Sequence, residues 1–282
     1  GKLASLRELI PAEAFRRLRR LTGNSPDAAN TIMLVAAEAF AHAGLFGTAT
    51  PDRMSAILAG HYLYDLYKLA NWRAYEADPD GIEVSFGLKE LDSDALACIA
   101  EVLGIFGPAY GVGGACAAGN IGLRAALDEI RHHGAHVVVV ASGSHELSPA
   151  SLHSLAKLGA LSLEGFETEP ARASRPFDAA RNGFVPASGA AALILESLEH
   201  ARRRGAPILA EVLGVGVTTN GSRSPTPGEE HMALAMEQAL AEAGIDKSAI
   251  GYVSAHATST PQGDLAEAKA ISRVFGEHAA KL

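Results

Sequence analysis

The chain has 282 residues, 48% of them hydrophobic and 20% charged, with a formal net charge of −8. That composition excludes a disordered chain and disfavours wholesale nucleic-acid binding. No apolar run approaches the roughly 18 residues of a spanning helix, and the opening GKLASLRELIP lacks the apolar stretch of a secretory leader. The two cysteines, Cys98 and Cys116, argue against a disulfide framework and fit a reducing cytoplasm.

Apolar spacing predicts a short helix over 11–20 and a longer one over 28–43, opened by Ser25-Pro26-Asp27 and stopped by Gly44. Residues 54–59 read as a short buried strand, and 62–77 carry aromatic residues at mixed spacing. Asp92-Ser93-Asp94 can cap a helix that runs to Leu103 and ends at Gly104. A small-residue strand over 109–115 leads into Cys116, a helix follows over 117–132, and 136–141 (HVVVVA) reads as a strand buried on both faces. A helix is expected over 147–157, a polar loop over 165–182, a further buried strand over 189–196 and a helix over 198–204. Strands are expected over 208–217 and 252–255, a turn-rich loop over 220–228, and helices over 229–243 and 265–275. Strands and helices alternate, which is the pattern of an α/β fold with helices covering a mostly parallel or mixed sheet. The basic clusters Arg202-Arg203-Arg204 and Arg131-His132-His133 read as solvated helix ends, with a dock for an acidic partner as the alternative.

Gly113-Gly114-Ala115-Cys116-Ala117-Ala118-Gly119 sets a thiol between a strand and a helix, among residues small enough for a sharp turn. The positive end of the helix dipole favours the thiolate, which is the nucleophile in acyl transfer. The backbone N–H of Cys116 is a candidate oxyanion donor. Cys98, among Leu96, Ile99 and Val102, reads as core.

His256, in Ala255-His256-Ala257-Thr258-Ser259-Thr260-Pro261-Gln262-Gly263-Asp264, ends a short strand ahead of a hydroxyl-rich turn. There an imidazole can donate to a thioester or enolate oxygen. Asp264 and Glu267 read as supports for the following helix. His132 and His133 fall on different faces of a helix, and no paired metal-ligand spacing occurs, so no metal is expected.

Together these segments resemble the β-ketoacyl-ACP synthase family of the thiolase-like superfamily. Gly-Ala-Cys116-Ala-Ala-Gly is similar to its nucleophile elbow. Ser174-Arg175-Pro176-Phe177-Asp178 with Arg181-Asn182-Gly183-Phe184-Val185 is similar to its loop before a central strand. Ala255-His256-Ala257-Thr258-Ser259-Thr260-Pro261 is similar to its first-histidine motif, and Val274-Phe275-Gly276 adds a weaker match. The resemblance implies a layered αβαβα fold, incomplete at both ends of the sequence shown, and one domain over 1–282 with halves at 1–205 and 206–282. It implies that Cys116 takes an acyl group from acyl carrier protein, and that decarboxylation of malonyl-ACP gives an enolate that attacks it while His256 stabilises the carbonyl oxygen. No cofactor is implied beyond the carrier's phosphopantetheine. The setting implied is cytoplasmic, as a homodimer or heterodimer.

Several features depart from the family pattern. Its first strand and helix, its lysine, its second histidine and its C-terminal Gly-rich loop are not in the sequence shown. Ser188 stands where an acid is usual, and Ala257 where glycine is usual. A longer chain or a second polypeptide is expected to complete the core. Phe86-Gly87-Leu88 with Leu91-Asp92-Ser93-Asp94 is similar to the branch serving polyketide β-branching cassettes. A malonyl-ACP decarboxylase and a non-catalytic chain-length-factor-like subunit are therefore the alternatives.

Overall fold

The two apolar runs over 54–59 and 136–141 become neighbouring parallel strands. The computed structural model describes residues 2–143, 146–223 and 227–282, so residues 224–226 of the expected 220–228 loop lie outside the described residues. The chain divides into two units, Gly1–Ser148 with Ser188–Ala210 and Pro149–Ala187 with Glu211–Leu282.

The first unit holds helices α1 (Lys2–Leu9), α2 (Ala12–Thr22), α3 (Asp27–His42), α4 (Asp65–Ala77), α5 (Phe86–Lys89), α6 (Ser93–Leu103), α7 (Ala118–His132) and α9 (Leu198–Arg203). Its strands are β1 (Met54–Ala59), β2 (Ala109–Val112), β3 (Val137–Gly143) and β4 (Ala190–Glu196), in the order β2-β1-β3-β4. β1 pairs in parallel with β2 and β3, and β3 pairs antiparallel with β4. One sheet face, with Ala56, Leu58, Val137 and Val139, packs on Ile32, Ala36, Phe40, Ile99 and Val102 of α3 and α6. α7 covers the other face closely: a methyl group on Gly122 would lie 2.9 Å from Ala59 Cβ and 3.0 Å from Val140 Cγ1. The result is a helix–sheet–helix sandwich with every residue of β1 buried.

Two expectations change in this unit. β4 is not buried on both faces: Leu193 is 56% exposed, because an antiparallel strand at the sheet edge is covered on one side only. The three arginines at the end of α9 are not all solvated either. Arg204 turns inward and grips Glu196 through two bonds of 2.6 Å, and His200 Nδ1 lies 2.5 Å from the same carboxylate. Burial pushes the Glu196 carboxyl up, but the Arg204 and His200 bonds outweigh it and leave it below the ordinary carboxylate value.

The second unit holds α8 (Pro149–Lys157), α10 (Glu229–Ala243) and α11 (Pro261–Phe275). A small core of Ala233, Ala270, Val274 and Phe275 joins α10 to α11. The strands expected over 208–217 and 252–255 do not form among the described residues. An apolar run sets a local preference, but a strand also needs a neighbour to complete its ladder. Residues 211–217 instead lie along α10. A methyl group on Gly216 would fall 1.8 Å from the Ala235 carbonyl oxygen, and the Val215 N–H donates to Glu242 at 2.7 Å.

Because Glu196 is held below its ordinary value, its contribution is complete above that value and is lost as pH falls through the lowered one. Glu196→Gln should cost about 3 kcal/mol near neutral pH by urea denaturation, since it leaves Arg204 without its partner. The difference from the parent protein should shrink as the titration is taken below the ordinary carboxylate range.

Candidate active site

Cys116 lies in the first unit, on a 3₁₀ turn over Ala115–Ala117 that joins β2 to α7. The turn is tight: Gly114 has φ 158°, and Ala115, immediately before the cysteine, has φ 48°. A methyl group on Gly114 would sit 2.3 Å from Ile121 Cδ1, so the small residue lets the first turn of α7 fold back over the elbow. The Ala117 N–H closes the turn on the Gly114 carbonyl at 2.9 Å. Cys116 is exposed and Cys98 is buried. Burial raises the Cys98 thiol above its usual value, and the Asp94 carboxylate raises it further.

The elements on either side of the elbow are tied together at their far ends. Tyr110 on β2 donates to the buried Glu129 on α7 at 2.9 Å, and Ser55 on β1 approaches the same carboxylate at 3.4 Å. Burial and then the Glu129 bond push the Tyr110 phenol up to about 12, so it stays a donor across the neutral range. Asp92, expected to cap α6, instead receives the N–H groups of Tyr62 and Leu63 at 2.9 and 3.1 Å. It thereby holds the loop that leaves β1 beside the elbow. Neither tie was legible from spacing, because each partner lies 19 to 30 residues away in the chain.

His256 lies in the second unit, on the loop that enters α11. Glu267 on α11 reaches back to receive the N–H of His256 at 2.6 Å and of Ala257 at 2.8 Å. Asp264, 1% exposed, receives Ser259 N–H at 3.0 Å and Phe177 N–H at 2.7 Å, and Arg181 Nε lies 3.4 Å from it. Arg181 also donates to the carbonyls of Thr260 and Pro261. Ser259 is wholly buried, accepting from Arg175 N–H through its hydroxyl and from Gly183 N–H through its carbonyl. The loop 174–185 and the histidine loop are thus one hydrogen-bonded body around two acids. Asp264 and Glu267 do more than support a helix: they fix the backbone that carries His256. The helix itself is capped by Thr260, whose hydroxyl accepts from Gly263 N–H at 3.1 Å.

Among the described residues, non-glycine residues with positive φ concentrate in these motifs: Ala115, Phe177, Ala257 and Ser259, with Tyr62 as the remaining case. Each holds a conformation that side chains disfavour. Among the described residues no group of three His, Cys, Asp or Glu side chains is placed to hold a metal ion, and no helix is long and apolar enough to cross a membrane.

Two variants test this reading of the histidine loop. Asp264→Ala removes the acceptor of the buried Ser259 N–H and the part-buried Phe177 N–H, and the partner of Arg181, and should lower stability by about 3 kcal/mol in urea unfolding. Ala257→Gly relieves the left-handed strain at φ 47° and should raise stability by about 0.5–1 kcal/mol.

A family model described as the beta-ketoacyl synthase N-terminal domain matches residues 12–201, and the C-terminal domain model matches 209–282. The chain is 40% identical over 181 residues to the chloroplastic 3-oxoacyl-[acyl-carrier-protein] synthase I of Arabidopsis thaliana, covering 64% of this chain and 38% of that protein. A beta-ketoacyl synthase from Burkholderia phymatum STM815 superposes with a TM-score of 0.82 at 29% identity, over 95% of this chain and 64% of its own. AntDE:AntF, a type II PKS acyl-carrier protein in complex with its ketosynthase bound to the hexaketide, gives 0.83 at 31% identity, over 90% of this chain and 64% of its own. The chain therefore spans well under half the length of that curated relative and less than two thirds of those solved chains. The layered, thiolase-like α/β arrangement implied by the motifs is the one these superpositions reveal. With family models matched in sequence over both halves, the chain belongs to the beta-ketoacyl synthase family.

Proposed function

We infer that the chain is the nucleophile-bearing part of a condensing enzyme fed by acyl carrier protein. The observation that carries this reading is the strained strand–turn–helix elbow, which presents an exposed thiol at the start of α7. The Cys116 thiolate attacks the thioester carbonyl of an acyl group on the carrier's phosphopantetheine arm. The carbon–sulfur bond to the arm breaks, the arm leaves as a thiol on taking up a proton, and the acyl group stays on Cys116. Malonyl-ACP then loses carbon dioxide, and the resulting enolate attacks the acyl carbonyl, expelling the Cys116 thiolate and forming a carbon–carbon bond. His256, on its clamped loop, is the group assigned to hold the carbonyl oxygen as charge develops.

The reading needs no resident cofactor, because phosphopantetheine arrives with the substrate. Acyl carrier protein as partner is supported by AntDE:AntF, a carrier protein in complex with its ketosynthase. A dimer is supported by β2, which ends the sheet of the first unit with an open edge. A cytoplasmic setting rests on the composition and cysteine usage. Reading 1–282 as one domain with a division at 205/206 is supported by the family matches, which end at 201 and resume at 209.

Incubation with an acyl-carrier protein followed by mass spectrometry should give an acyl adduct mapped to Cys116, absent in Cys116→Ala. No adduct on the parent protein, or an unchanged adduct in the variant, would reject the acceptor role. Ser188, in place of the usual acid, favours decarboxylation without condensation as the second reading. Acetyl-carrier product that persists in Cys116→Ala and falls in His256→Ala would establish that reading instead.

A further inference from the structure

We propose that the core of the first unit binds a single ordered water where α6 begins, accepting from the Tyr64 hydroxyl and donating to Asp94 Oδ2. The inference is independent of the acceptor role of Cys116.

Tyr64 is wholly buried, yet its hydroxyl has no hydrogen-bond partner among the described residues. The same holds for Asp94 Oδ2, which is also out of solvent. An orphaned polar oxygen costs free energy in a core, so two of them together call for a partner. Electrostatics places them together. Burial pushes the Tyr64 phenol far above its usual value, and the Asp94 carboxylate is the next largest cause, followed by Asp92 and Cys98. Burial also raises the Asp94 carboxyl, which the charge of Lys89 offsets only in part. The Cys98 thiol is raised by burial and then by Asp94. Tyr64, Asp94 and Cys98 are thus within electrostatic reach of one another, pair by pair. The two oxygens are neighbours without a direct bond, a relation that one bridging molecule satisfies.

Their chemistry selects that molecule. The phenol keeps its proton and donates, whereas a carboxylate only accepts. The bridge must therefore accept one hydrogen bond and donate another, which water does. An anion has nothing to donate to Asp94, and a cation would face the positive end of α6. Cys98 Sγ, 3.7 Å from Ser25 Oγ, offers a third and weaker contact, in keeping with the roughly three bonds of a buried water. The site also extends a clamp. Asp92 already takes the N–H groups of Tyr62 and Leu63 at 2.9 and 3.1 Å. With the water, three successive residues after β1 are tied to the start of α6.

The test is the sign of one substitution, read by urea denaturation of the whole chain. Tyr64→Phe removes the hydroxyl and keeps the ring. With a water bonded there, the folding equilibrium should weaken about three- to tenfold, the worth of one hydrogen bond, and the midpoint should fall. With the hydroxyl unpartnered, its removal would raise the midpoint instead. Asp94→Leu breaks the same bridge, so the double variant should lose less than the sum of the two single losses. A high-resolution crystal structure should show one water peak about 2.5–3.0 Å from both oxygens. A midpoint that rises or stays unchanged in Tyr64→Phe, additive losses, a missing peak or a direct Tyr64–Asp94 hydrogen bond overturns the proposal.

Discussion

Carboxylates that grip backbone N–H groups hold together the parts of this protein that bear on chemistry. Asp264 and Glu267 take four N–H groups between them from the histidine loop and the 174–185 loop. In the first unit Asp92 takes two from the loop leaving β1, and Glu146 takes those of Ala28, Leu66 and Tyr67 at 3.2 Å. A charged acceptor makes a stronger and shorter bond than a neutral one. It can also receive two or three N–H groups at once, so a single side chain fixes a loop that has no ladder of its own.

Such fixing is needed because the loops are strained. Ala115, Phe177, Ala257 and Ser259 adopt conformations that cost free energy and persist only where the surroundings over-determine them. At Cys116 the determinants are the Gly113–Gly114 turn, the close packing of α7 on the sheet through Gly122, and the Tyr110–Glu129 tie. At His256 they are the two acids of α11. In each unit the candidate residue, Cys116 or His256, stays on the surface while the acids that support it are buried. Rigidity therefore comes from the residues next to it in space and does not require burying the reactive group.

The same logic accounts for which elements formed. β1 and β3 are central, flanked by helices on both faces, and their apolar runs are realised as strands almost residue for residue. β4 lies at an edge and is half covered. Residues 208–217 and 252–255 have comparable apolar character, but with no ladder partner among the described residues they remain irregular, one packed along α10 through its glycines. Arg204 shows the converse. Within a run of three arginines it looks like surface, yet a carboxylate at the end of β4 draws it inward.

Local chemistry in the sequence was enough for most of the helices, though not for those over 2–9, 65–77 and 86–89, and for the two central strands, the elbow at Cys116, the histidine loop and the family. Each of these depends on residues close together in the chain: apolar spacing, the glycines at turns and helix ends, the Thr260–Pro261 cap. Tertiary structure alone decided what the acids do, which arginine is buried, and which apolar runs become strands. Those outcomes depend on partners brought together from distant parts of the chain, such as Phe177 and Asp264, which are 87 residues apart. A residue's type limits what it can bond, but only the fold determines which groups it meets.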